Sequence, residues 1–156
     1  MTCGSSPLAV DLSRVPEDGL RLRVPARDIE LPTAGEVTFP GDIDVAVTVE
    51  DIAGGTLLHV EAAGTAVAEC FRCLEPYQLR LETSVEFLYR TGEGREDGDG
   101  VLHLDPHHPV IALGPPVRES LLLELPMTRI CTPGCGGLCP GCGANLNNEE
   151  CRCRQT

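Results

Sequence analysis

Cysteine spacing constrains this chain more than any other feature. Apart from Cys3, the cysteines fall as Cys70-x2-Cys73 and, far downstream, Cys131-x3-Cys135-x3-Cys139-x2-Cys142-x8-Cys151-x-Cys153. Eight thiols make two tetrahedral ligand sets, and a two-residue spacer lets both sulfurs of a knuckle reach one zinc ion at about 2.3 Å. In Leu138-Cys139-Pro140-Gly141-Cys142-Gly143 the glycines permit the turn that aims backbone N–H groups at the sulfurs. Beyond Pro126 the chain is Cys, Gly, Pro and Asn with scarcely any apolar mass, so it cannot fold by burying hydrocarbon. The expected cofactor is therefore structural zinc, as two ions. Chain geometry assigns Cys139, Cys142, Cys151 and Cys153 to one ion and Cys70, Cys73, Cys131 and Cys135 to the other, which would staple the tail to a strand turn. The Cys151-Arg152-Cys153 pair fits least well, because strand-like neighbours alternate direction and a one-residue spacer chelates poorly. Cys3 has no partner by count and reads as a free terminal thiol.

Two other uses of the cysteines are disfavoured. A redox CxxC sits at a helix N-terminus with a depressed pKa, whereas Cys70-Phe71-Arg72-Cys73 joins two expected strands and has Pro76 three residues on. Disulfides belong to exported domains, but the start Met1-Thr2-Cys3-Gly4-Ser5-Ser6-Pro7 lacks a basic stretch leading into an apolar one, and no apolar run is long enough to span a membrane. The chain reads as soluble and cytoplasmic.

The body reads as strands. With 156 residues there is room for one core and a modest appendage. Only three Phe, two Tyr and no Trp are present, so Val, Leu, Ile and Ala must fill the interior, while 13 Pro and 17 Gly favour short strands and tight turns. Leu8 to Leu12 and the alternating Leu20-Arg21-Leu22-Arg23-Val24 look like edge or entry strands. Ile43 to Glu50 alternates, Gly54-Gly55 supplies a turn, and Thr56 to Ala62 resumes until near Gly64, a hairpin signature. Thr65 to Glu69 leads into the first knuckle, held away from the core, and Tyr77 to Arg90 follows with Leu79, Leu81, Thr83, Val85, Phe87 and Tyr89 on one face. Thr91 to Gly100 is almost wholly Gly and charge and reads as a mobile loop. Pro116 to Leu125 carries Val117, Leu121 and Leu125 at four-residue spacing and ends before Pro126, which predicts one short helix. The expected fold is mainly β (α+β): an antiparallel sheet or partly closed barrel with one short helix and a C-terminal zinc-knuckle module. The body is expected over residues 1–126 and the cysteine-rich tail over 127–156.

Charge narrows the function. A net charge of −12 and a pI near 4.6 disfavour wrapping around a polyanion, and thiolate ligation deepens the negative charge, so a basic protein partner is electrostatically easier to accommodate. No GxSxG, HExxH, P-loop or GxGxxG stands in a strand-to-helix context. His103, His107 and His108 around Asp105 and Pro106 lack the spacing to a third ligand and read as a solvated loop, as do Glu93, Glu96, Asp97 and Asp99. A closed four-cysteine zinc leaves no water position for Lewis-acid chemistry, so neither enzymatic activity nor a small-molecule substrate is expected.

Cys70-Phe71-Arg72-Cys73-Leu74, then Leu122-Leu123-Glu124-Leu125-Pro126, then Cys135-Gly136-Gly137-Leu138-Cys139-Pro140-Gly141-Cys142-Gly143-Ala144-Asn145-Leu146-Asn147, resembles the bacterial YceD family across most of the chain. The resemblance implies a role in accumulation of the large-subunit (23S) ribosomal RNA. Joined to the charge, it leads to the expectation of a zinc-stabilised acidic adaptor that binds a basic large-subunit ribosomal protein and shields it until it meets rRNA. The alternative is direct rRNA binding by Arg72, Arg80, Arg90, Arg129, Arg152 and Arg154 around the knuckles.

Overall fold

A computed structural model describes residues 8–32, 35–53, 55–91, 102–105 and 107–154. The chain runs through β1 (Ala9–Asp11), β2 (Leu20–Pro25), a 3-10 turn (Ala26–Ile29), β3 (Val37–Thr38), β4 (Asp42–Ile52), β5 (Gly55–Glu69), β6 (Pro76–Thr91), β7 (Leu102–Leu104), β8 (Val110–Ala112), α1 (Gly114–Leu123) and a closing 3-10 turn (Arg152–Arg154). The main sheet has the order β2-β4-β5-β6-β7, with β3 added to β5 beyond the end of β4. Its neighbours are antiparallel except β6 and β7, which run parallel. Among the described residues the sheet is open: β2 and β7 lie at its two edges and do not pair with each other, so the expected alternative of a partly closed barrel does not hold. β1 and β8 form a separate two-stranded sheet.

Alternation places the core. Ile43, Val45 and Val47 of β4, Leu58, Val60, Ala62 and Ala66 of β5, and Leu81 and Tyr89 of β6 are buried on one face, as period-two patterning requires of a half-covered sheet. Leu113, Val117 and Leu121 of the α1 region join the same cluster, with Ile29, Leu31 and Phe39. α1 begins at Gly114, two residues before the expected Pro116, and carries proline in its first turn, where a missing N–H costs nothing. Pro126 follows soon after its end.

Two glycines sit differently from the expected pattern. Gly55 belongs to the strand and pairs with Ile52 rather than forming the turn; a Cβ there would collide with the Tyr89 carbonyl. Gly64 does not end a strand, since β5 runs unbroken through it; a Cβ would run into the Ile43 side chain, so the position is glycine to let Ile43 into the core. Gly54, Cys3 and the charged stretch at 92–100 lie outside the described residues. No helix among the described residues is long and apolar enough to cross a membrane.

Candidate metal centres

β5 and β6 pair along fourteen positions, from Thr56 with Tyr89 to Glu69 with Pro76, and Cys70-Phe71-Arg72-Cys73-Leu74-Glu75 is the loop that joins them. The loop folds as a knuckle: Cys70 N–H donates to the Glu75 carbonyl (3.0 Å) and Leu74 N–H to the Cys70 carbonyl (2.9 Å). The second knuckle repeats both bonds. Cys139 N–H donates to the Ala144 carbonyl (2.8 Å) and Gly143 N–H to the Cys139 carbonyl (2.8 Å). In each, the residue after the second cysteine is left-handed, Leu74 at φ 59 and Gly143 at φ 72. Glycine adopts that conformation freely, whereas for leucine it costs about 1 kcal/mol.

The sulfurs gather as Cys70, Cys73, Cys131 and Cys135, and as Cys139, Cys142, Cys151 and Cys153; within each set they lie within 4.8 Å of one another. In the first, Cys70 and Cys135 are 3.9 Å apart and Cys73 and Cys131 3.7 Å. In the second, Cys139 stands 3.4 Å from Cys151 and 3.8 Å from Cys153. Four sulfurs at about 2.3 Å from a tetrahedral ion are about 3.8 Å from each other. Both clusters therefore have the size and the all-thiol donor set that fit such an ion, and the eight cysteines are not joined in disulfides. The awkward Cys151-Arg152-Cys153 pair is resolved by the closing 3-10 turn, which replaces the strand-like geometry and turns both sulfurs to Cys139. Gly141 makes room for this: a Cβ there would stand 2.6 Å from the Cys153 sulfur.

The first knuckle is less exposed than a turn held away from the core. Cys70, Cys73 and Cys135 are buried in a small cluster of their own, flanked by Tyr77, Ile130 and Cys131. The tail supplies that cover. Phe71 N–H donates to the Arg129 carbonyl (2.8 Å), Leu138 N–H to the Arg72 carbonyl (2.8 Å), and the Arg72 guanidinium to the Cys135 carbonyl (3.1 Å). Amides also reach the sulfurs: Arg72 N–H and Cys131 N–H point at Cys70 Sγ at 3.5 and 3.4 Å. Asn147 extends the network from beyond the second knuckle, donating Nδ2–H to Cys135 Sγ (3.4 Å) and accepting from Gly136 N–H (2.7 Å).

These contacts set the thiol acidities. Burial raises the Cys70 thiol, but N–H groups of Cys73, Cys131 and Arg72 outweigh it and bring it down to about 6. The amides of Ala144 and Arg152 bring Cys142 down to about 6. Cys73, drawn down by the Glu75 backbone, is nevertheless pushed up to about 12 by burial and by the sulfurs of Cys70, Cys135 and Cys131. The sulfurs of Cys142, Cys139 and Cys151 push Cys153 up to about 12. In each cluster two thiols are lowered, Cys70 with Cys135 and Cys139 with Cys142, and two are raised, Cys73 with Cys131 and Cys151 with Cys153, and a bound cation would favour the thiolate form of all four.

Sequence patterning brings out all eight cysteines, but not Asn147, whose signal is a side-chain amide placed just after a knuckle. His107 and His108 are exposed and join neither cluster, and Asp105 accepts from His107 N–H (2.8 Å); the His103 side chain lies outside the described residues.

Fold and site together define an open β-sheet protein with two four-thiol clusters of the kind that hold metal ions, one shared between sheet and tail and one within the tail. The chain belongs to the family described as Large ribosomal RNA subunit accumulation protein YceD, whose model matches residues 58–156. An uncharacterised protein of Mycobacterium tuberculosis is 33% identical over 112 residues, 69% of this chain and 53% of that protein. Proteins of Arabidopsis thaliana and Zea mays, each named Large ribosomal RNA subunit accumulation protein YCED homolog 1, chloroplastic, are 39% and 36% identical over 57 and 64 residues, covering 36% and 40% of this chain and 18% and 22% of theirs. The chain thus spans about half the length of the mycobacterial relative and about a fifth of the plant ones. No solved structure matches it.

Proposed function

We propose that the chain is a non-enzymatic factor supporting accumulation of the large-subunit rRNA, and that it works as an acidic adaptor for a basic ribosomal protein, with a structural zinc ion held by each cysteine cluster. The family description motivates the biological role. Zinc is the reading that suits four thiolates in a closed set, since soft sulfur ligands in a tetrahedron select zinc or an iron–sulfur centre and three of the four cysteines of the first cluster are buried.

The observation that carries the adaptor reading is how the charges are spent. The chain has no lysine, so its positive side chains are arginines. Arg129 is paired with Glu36, Arg152 with Glu149, Arg80 with Glu82 and Arg23 with Asp44, while Arg72 is tied to the Cys135 carbonyl. Arg90 too has a partner. Carboxylates are left over: Glu61, Glu69, Glu75, Glu119, Glu124 and Glu150 have no ion-pair partner among the described residues. Of the arginines expected for direct rRNA binding, Arg72 is tied to the Cys135 carbonyl and Arg129 to Glu36, and freeing them for phosphates would cost those bonds, whereas the exposed Arg152–Glu149 pair is weak; the Arg154 side chain lies outside the described residues. A surface on which most arginines are engaged, with the exposed Arg21 an exception among the described residues, and on which more carboxylates are left over attracts cationic proteins and repels phosphate.

Affinity capture at low and at high salt tests this. The reading expects a basic large-subunit ribosomal protein to be retained at low ionic strength and released as salt screens the attraction. Capture that is indifferent to salt, or capture of rRNA with no ribosomal protein, contradicts it.

A further inference from the structure

The two knuckles share one backbone but present different side chains. Where the second uses Gly143 at the left-handed position, the first uses Leu74, and that side chain is 54% exposed. Phe71, on the same turn, is 51% exposed. A leucine held in a sterically costly conformation, more than half exposed, packs into neither hydrophobic cluster of its own fold. Glycine would remove that cost, and the second knuckle shows that it fits. An external surface that covers Leu74 and Phe71 supplies the missing contact.

The surroundings specify what kind of surface. Glu69 ends β5 and Glu75 precedes β6, so their exposed carboxylates flank the base of the knuckle, and neither has an ion-pair partner among the described residues. Glu36 lies beside them, its carbonyl accepting from Glu69 N–H (3.1 Å), and its carboxylate holds Arg129. The Arg129 guanidinium lies 4.4 Å from the Phe71 ring centroid, covering one face of the ring. The knuckle is also held rigidly, by the bonds of Phe71 N–H to Arg129 and of Arg72 to Cys135 and Leu138. A fixed apolar tip with the unpaired carboxylates of Glu69 and Glu75 at its base, and with its own arginines Arg72 and Arg129 engaged by the Cys135 carbonyl and by Glu36, suits a protein surface that offers an apolar residue beside an arginine or lysine, and little of its ordering is left for binding to do.

We infer that the Phe71–Leu74 tip of the first knuckle is the surface by which this chain grips its basic protein partner. The inference rests on the adaptor reading above and adds its location. The carboxylates at its base attract the partner, and the two apolar side chains anchor it.

The test uses the metal-loaded full chain against a panel of individually purified basic proteins of the large ribosomal subunit and a fragment of its rRNA, read by fluorescence anisotropy. Leu74→Gly and Leu74→Asn both tolerate the left-handed conformation. Each is expected to keep both metal ions and an unchanged or higher Tm while binding the protein partner at least tenfold more weakly. Wild-type-like binding by both variants would overturn the location and leave the adaptor reading standing. Failure of wild type to bind any protein in the panel would overturn the adaptor reading itself. A variant that loses metal or melts lower shows that Leu74 serves the fold, and loss of rRNA binding in place of protein binding shows a nucleic-acid surface; either result overturns the inference.

Discussion

The two cysteine clusters are built on the same knuckle and differ in what they join. The first brings together residues about sixty positions apart, Cys70 with Cys135 and Cys73 with Cys131, and buries three of its four cysteines. The second closes a loop of twelve to fourteen residues and leaves Cys142 and Cys153 exposed. One is a tertiary clamp and the other a local module. The same four-thiol arrangement thus stands in two structural settings, set by chain separation and by what covers the sulfurs.

The strongest way to break this comparison is to remove one cysteine from each cluster. Structural zinc contributes about 10 kcal/mol apparent to such modules. Cys73→Ser is expected to release the whole tail from the sheet, so that hydrogen exchange at the amides of Phe71, Cys131 and Leu138 loses its protection while β4 and β5 keep theirs. Cys142→Ser is expected to expose only the segment after Leu138. Equal loss in both variants would show one cooperative unit in place of clamp and module.

A smaller effect separates space from composition. Gly141→Ala places a methyl group against the Cys153 sulfur and is expected to cost the second cluster its ion, whereas Gly134→Ala, with open space around it, leaves metal content unchanged. Asn147→Ala should then weaken metal at the first cluster about 10- to 100-fold, the usual effect of losing an outer-shell hydrogen bond to a ligand, with the second cluster unaffected. Competition with a chromophoric chelator reads this, and equal weakening of both clusters would mean that Asn147 acts on the fold as a whole. The smallest expected change is in the body: Gly64→Ala presses on the flexible end of Ile43 and should lower stability by about 1 kcal/mol with both ions retained, measurable by denaturant unfolding.

Much of this arrangement is legible in the sequence, for physical reasons that differ by region. Alternation in Asp42–Ile52 and along the expected face of Pro76–Thr91 exposes the sheet, because one face meets water and the other does not. The cysteine grouping follows from chain connectivity, since spacing limits which sulfurs can meet. Gly64 and Gly141 mislead or stay silent because their meaning lies in a neighbour distant in sequence, Ile43 in one case and Cys153 in the other. Closure into a barrel is undetermined by strand patterning, which is the same for an open and a closed sheet. The left-handed Leu74 is likewise invisible until the second knuckle's Gly143 stands beside it. The commitment of Arg72 and Arg129 to internal partners also emerges only from the packing.

Metal quantification on the native chain beside the Cys73→Ser and Cys142→Ser variants tests the central claim most directly. Two zinc ions per native chain, falling to one in each variant, is the result that two independent four-thiol sites predict. A single ion in all three proteins would contradict the claim.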